Sequence, residues 1–305
     1  MVGIGEARPS GGGEVITIEA GNGRPVEGPF PAALTDQPPL MIGTTIYVIT
    51  KIGKVTAYDL TGAEQFTVPM SGNLGRTTPL AVAPDGSLRI ASTTGRLLAL
   101  DSASGDTRFD ATIEQGVDSP LAVADDGTTY VATSLGRLEG VDASGNKSFD
   151  VVTGPLASGP SASADGVVVG DSNGVLAYDR AGDQRFEHPR GARVIGTQAQ
   201  ANGETLAWGE DGVVELLDRA GDPIMSYRTA ATNPPPVKAN PVVLPSGDIA
   251  IIDDSGMGHL VDRGGQALAT RDFGTSPAPT LALASNGLVI ATFGSDVIGI
   301  DFDAE

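Results

Sequence analysis

Gly95-Arg96-Leu97-Leu98-Ala99-Leu100-Asp101, closed by the turn Ser102-Ala103-Ser104-Gly105 and followed by Phe109, is the phrase that decides the fold. It returns as Gly53-Lys54-Val55-Thr56-Ala57-Tyr58-Asp59 and as Gly136-Arg137-Leu138-Glu139-Gly140-Val141-Asp142. Looser copies end at Asp179, Asp218, Asp262 and Asp301, so successive Asp residues stand 42, 41, 37, 39, 44 and 39 positions apart. About 40 residues before Asp59 lies Glu19, inside Gly13-Glu14-Val15-Ile16-Thr17-Ile18-Glu19, which makes eight copies. Self-similarity at a period near 40 marks a repeat architecture, in which each unit is one supersecondary motif.

One unit shows the content of each copy. Pro120-Leu121-Ala122-Val123-Ala124 is a short apolar run closed by Asp126-Gly127, and Thr129 to Thr133 alternates in polarity up to Leu135-Gly136. Arg137 to Asp142 alternates again before Ser144-Gly145, and Lys147 to Val151 completes the set. Alternation with period two, bounded by Asp-Gly, Asn-Gly and Ser-Gly turns, predicts antiparallel strands joined in hairpins. Four such strands per 40 residues, a spacing shared with WD-like repeats, predict an all-β fold: a single β-propeller of four-stranded blades over residues 1–305. With strands lettered a to d outward from the axis, strand a is expected to be short and made of small apolar residues, as in Leu80-Ala81-Val82-Ala83. Eight blades is the preferred count and seven the alternative. The N-terminus supplies strands b, c and d, and the C-terminus a, b and c, so an incomplete blade is expected at each end.

Composition excludes several functions. Cysteine is absent, which removes disulfides, zinc–thiolate sites and thiol nucleophiles. Thirty-eight acidic residues against 19 basic ones give a net charge of −19, which repels phosphate backbones and anionic lipid. No nucleic-acid partner is expected. No apolar run approaches the length of a membrane span, and the first residues lack the basic and apolar regions of a secretory signal.

The phrase of Gly, alternating apolar residues, Ala-Leu-Asp, a turn ending in Gly and an aromatic four residues later resembles the pyrroloquinoline-quinone-type repeat family. That family usually carries Trp at the last position; here Phe66, Phe109, Phe149 and Phe186 follow Gly62, Gly105, Gly145 and Gly182, while Met225 and Ala269 follow Gly221 and Gly265. The likeness covers nearly the whole chain and is strictest between residues 50 and 190. It implies a propeller whose Phe series packs between adjacent blades. Its nearest functional analogue is the non-enzymatic outer-membrane-assembly branch, which implies a protein or peptide partner and a periplasmic or extracellular location. The lipid-bearing N-terminal Cys of that analogue has no counterpart here.

Chemical signals are sparse. Quinone catalysis needs a cation held by oxygen ligands, a stacking wall and a general base; the only Trp, Trp208, falls in a strand b. The repeat Asp residues are expected to staple turns. Gly170-Asp171-Ser172-Asn173-Gly174 matches G-x-S-x-G, but in a hairpin rather than at a strand-to-helix elbow. His188 is placed in a d–a connection and His259 in a strand c. Asp125-Asp126 and Asp253-Asp254 lack the loop of a strong calcium site, so no cofactor is expected beyond calcium drawn adventitiously by the net charge. Asn146-Lys147-Ser148 is a formal glycosylation sequon in a c–d turn.

Function is therefore expected in the connections between blades. Candidate partner-binding residues are Arg76, Arg190 and Arg193 on rim loops and Pro234, Pro235, Pro236 and Lys238 in the longest connection, whose prolines keep it stiff. The leading expectation is a binding scaffold that is not an enzyme. The alternatives are a quinone- or metal-binding enzyme using the central channel, and a recognition or sensor module of a larger extracellular chain.

Overall fold

In the computed structural model the described residues are 2–7, 12–18, 25–33 and 37–300, without 51–52, 70–75, 118, 231–233, 235, 238, 275–279, 284–288 and 294–295. Every regular element among them is a β-strand, and the strands fall into eight antiparallel sheets in chain order. The first (2–33) and last (280–300) have three strands; the six between (40–69, 81–112, 122–152, 161–189, 194–228 and 242–272) have four each. The order within each sheet is sequential, so every neighbour is joined by a hairpin, as the spacing predicts. The chain divides into two compact units, Met1–Gly154 and Pro155–Glu305, each holding four consecutive sheets.

Strand a is short in most sheets, as in Ala81–Val82, Ala122–Val123 and Val242–Val243. The sixth sheet departs from this: Val194–Ala199 has six residues and a bulge between Val194 and Gly196. Strands b and c are buried on both faces, as in Leu88–Ser92 and Gly174–Tyr178, because apolar clusters fill the seams between successive sheets. One seam joins Tyr47 and Val55 to Leu88 and Leu98, and another joins Trp208 and Met225 to Ile249 and Ile251.

Volume is shared along a row that crosses strands b, c and d. Tyr130, Gly140 and Phe149 face one another in register, as do Arg89, Ala99 and Phe109, and Tyr47, Ala57 and Phe66. A small residue in strand c makes room for the aromatic in d; a Cβ on Gly140 would stand 2.5 Å from the Phe149 ring. In the seventh sheet the row reads Ala250, Leu260 and Ala269, so the bulk has moved to strand c. Each row also meets the next sheet. The c–d turn glycines Gly105, Gly145 and Gly221 lie against Phe66, Phe109 and Phe186 of the preceding sheet, where a Cβ would come within 2.5–2.8 Å of the ring. Phe66, Phe109 and Phe186 thus pack at the seams through turn glycines whose φ of 78° to 90° also suits no other residue well.

The repeat Asp residues do staple those turns. Asp142 Oδ1 accepts from the Ser144 and Asn146 amides at 2.9 and 2.8 Å, and Asp59, Asp179, Asp218 and Asp262 repeat this i+2, i+4 pattern. Asp101 instead takes the amides of Ala103 and Ser104, its turn being one residue longer.

Candidate functional site

Connections from strand d to the next strand a emerge at the same sheet ends as the b–c hairpins, and backbone hydrogen bonds clip the two together. Gly116 N–H donates to Thr93 O of the preceding hairpin at 3.0 Å, and Ser134 N–H of the following hairpin donates to Gly116 O at 3.1 Å. Val194 and Arg193 repeat the pattern with Asp171 O and Glu210 N–H (2.9 and 3.2 Å), and Val237 and Pro236 repeat it with Gly209 O and Asp254 N–H (3.3 and 2.8 Å). These connections, though of different lengths, are each tied to the hairpins on both sides.

The expected site residues separate among these sheet ends. Arg76 is exposed. Arg193 is half exposed and pairs with Glu210 Oε1 at 2.7 Å. Arg190 does not fit the rim role expected of it: its side chain is 3% exposed and held by Asp211 (3.1 Å), Glu215 (2.9 Å) and Val213 O (3.1 Å). Burying a guanidinium requires such pairing, so Arg190 acts as an internal tie. Pro235 and Lys238 lie outside the described residues. Pro234 and Pro236 are half-buried, and Val237 is fully buried among Trp208, Met225 and Ile251, so this connection carries core contacts and is no free loop.

The histidines also find fixed places. His188 belongs to strand d of the fifth sheet, Gln184–Pro189, instead of a connection, and its Nε2 lies 3.4 Å from Glu215 Oε2 across the seam. His259 is 3% exposed between Tyr227 OH (3.0 Å) and Asp253 Oδ2 (3.3 Å). Both bridge neighbouring sheets. Asp171, in the G-x-S-x-G match, accepts from the Asn173 and Gly174 amides at 2.8 and 2.7 Å, which is ordinary hairpin chemistry and not a strand-to-helix elbow.

Sequence reasoning passed over an apolar pair at a sheet end of the first unit. Leu135, at the tip of the b–c hairpin of the fourth sheet, is 67% exposed, and Val152, at the end of strand d, is 75% exposed. They belong to neighbouring strand ends: Val152 is in register with Arg137, two residues beyond Leu135, and Thr153 N–H donates to Gly136 O at 2.9 Å. Ion pairs border them: Arg137 donates to Asp150 (Nε–Oδ1 2.9 Å), and Lys147 joins Asp150 (3.1 Å) to the buried Glu139 (2.9 Å). An apolar centre with a charged rim is the anatomy of a protein interface. A signal was there to read: the position before the hairpin glycine is polar in Thr94, Asn173, Asp211 and Ser255 and apolar in Ile52 and Leu135.

In the second unit, strands a of the sixth, seventh and eighth sheets line a cavity of about 390 Å³. None of its lining side chains is ionisable, and the Trp208 ring is packed against Gly196 rather than presented as a wall. A carboxylated quinone with its cation and base does not fit these residues.

A family model described as outer membrane protein assembly factor BamB matches residues 51–264. Among solved structures, BamB from Moraxella catarrhalis is similar at a TM-score of 0.68 and 18% identity, over 98% of this chain and 90% of that one. The computationally designed Ika8 protein is similar at a TM-score of 0.78 and 16% identity, over 97% and 92% of the two chains. No curated protein matches significantly in sequence. At such identities the structural likeness speaks for the fold, a β-propeller of four-stranded antiparallel sheets. The sequence match spans more than two thirds of the chain, which belongs to the outer membrane protein assembly factor BamB family.

Proposed function

We propose that this chain is a non-enzymatic scaffold that holds a protein partner through its interblade connections, with Leu135 and Val152 at the centre of the contact. The exposure of these two apolar side chains at one sheet end, beside the Arg137–Asp150–Lys147 ion pairs, carries the reading, because apolar groups left open in this way gain free energy only when a partner covers them. Family membership supports an envelope partner engaged in outer-membrane protein assembly and a periplasmic or extracellular location. On this reading residues 1–305 act as one domain with the eight sheets as its blades, and Arg76, Arg193 and the 234–238 connection lie on the same kind of sheet end as the anchor pair.

The test is a titration against the purified soluble domains of the outer-membrane assembly machinery of the same organism. Leu135→Ser and Val152→Ser should each weaken binding by about tenfold, or 1.4 kcal/mol, with the melting temperature unchanged. Unaltered affinity in both variants would exclude this surface.

A further inference from the structure

We infer that the second unit carries a cleft for an uncharged peptide segment, taken up along the free edges of its first strands. The cleft is the 390 Å³ cavity, whose polar lining is Thr197, Gln198, Gln200 and Asn240. In a chain with 19% charged residues it presents no charge, so an ionic ligand would enter without a counter-charge. Carboxamides and a hydroxyl both donate and accept, which suits a ligand group that does the same, either a peptide unit or a sugar hydroxyl.

Two observations favour the peptide. Sugars are held on an open aromatic face, and Trp208 is 4% exposed with its ring against Gly196, where a Cβ would stand 2.0 Å from Cζ2. The walls, by contrast, include strand edges with one neighbour only. Gln200 N–H donates to Glu204 O and Leu244 N–H to Asp248 O, both at 2.8 Å, toward the adjoining strand b. Antiparallel alternation then turns the N–H and C=O of Thr197 and of Val243 the other way, where a further strand would pair. Ala199 N–H, on the same edge as Thr197, donates to the Ser161 hydroxyl at 2.8 Å, so on this edge the added strand would pair at Thr197 and not at Ala199. Exposed Leu283 and half-buried Val243 supply apolar contact for alternate side chains of the added strand.

Because Trp208 is the only Trp, its emission reports this cleft directly. The full chain is titrated with the capped peptide Ac-Thr-Val-Thr-Val-NH2, with Ac-Glu-Val-Glu-Val-NH2 and with maltose, following emission and heat. The neutral peptide should shift the emission saturably, and the acidic one should bind at least tenfold more weakly. Gln198→Glu, at an exposed position, should weaken the neutral peptide about tenfold without lowering the melting temperature. No heat and no shift from either peptide up to about 10 mM, binding of maltose alone, or neutral-peptide affinity unchanged in Gln198→Glu would each overturn the inference. Leu135→Ser and Val152→Ser should leave the peptide response intact, so failure here and failure of the scaffold reading are read separately.

Discussion

Asp101 shows what a repeat carboxylate does beyond closing its turn. The Arg108 guanidinium donates to it at 2.8 Å, and with the Ser104 and Ala103 amides this lowers its pKa from 3.8 to about 2. A depressed carboxylate stabilises the fold fully above the unfolded value and loses that contribution as pH falls through the folded one. Asp59, Asp142 and Asp85 are also lowered, the first and last chiefly by hydroxyls of Thr61 and Ser87 and Asp142 by the Asn146 amide. Melting temperature should therefore fall between about pH 4 and pH 2, and Asp101→Asn should flatten that slope, as measured by circular dichroism across the range. The Asp staples were legible in the sequence because their partners lie two to four residues away. Arg190 was not, because Asp211 and Glu215 lie 21 and 25 residues further on, in the next sheet. Removing it leaves two carboxylates short of their cation, so Arg190→Ala should lower stability by roughly 3 kcal/mol in a denaturant melt. A binding role alone would leave the melt unchanged.

Strand identity came from alternation and glycine turns, which are local, and the sheets followed the predicted sequential order. What alternation could not show was how one sheet docks on the next. That depends on Phe66, Phe109 and Phe186 meeting the turn glycines of the following repeat, an interaction 35 to 39 residues long in sequence. It is visible in the sequence only as the Gly-to-Phe spacing of the repeat itself. The same distance hid the backbone clips, so the connection through Pro236 and Val237 read as a loop although it is anchored at both sides. Phe149 tests the row within a sheet most directly, being 7% exposed, with its ring centroid 5.8 Å from that of Tyr130. Phe149→Ala should cost about 3–5 kcal/mol in chemical unfolding, because Gly140 cannot fill the space left behind. A loss below about 1 kcal/mol would place the ring at a tolerant surface and remove it from the row.

At the scale of the whole chain, the repeat period sufficed for the fold and the likeness of the repeat phrase for the family, whereas the proposed contact surface is legible only in the folded chain. Leu135 and Val152 are ordinary residues in the sequence and become informative only when both are seen uncovered at one sheet end. The charge of −19 adds a kinetic expectation to that surface. A long-range negative field draws a basic partner and is screened by salt within about 8–10 Å, whereas apolar burial at the anchors is not. The two contributions should therefore separate in rate measurements. Raising sodium chloride from about 50 to 500 mM should slow association by tenfold or more while dissociation changes little. Leu135→Ser and Val152→Ser should do the opposite, leaving association near its original value and speeding dissociation, since these side chains act once the partner is seated. Surface plasmon resonance with the immobilised chain reads both rates in one series. If association proves indifferent to salt, the partner is not basic where it meets this protein. If the serine variants slow association instead of hastening release, the two side chains act during encounter and do not anchor the bound state.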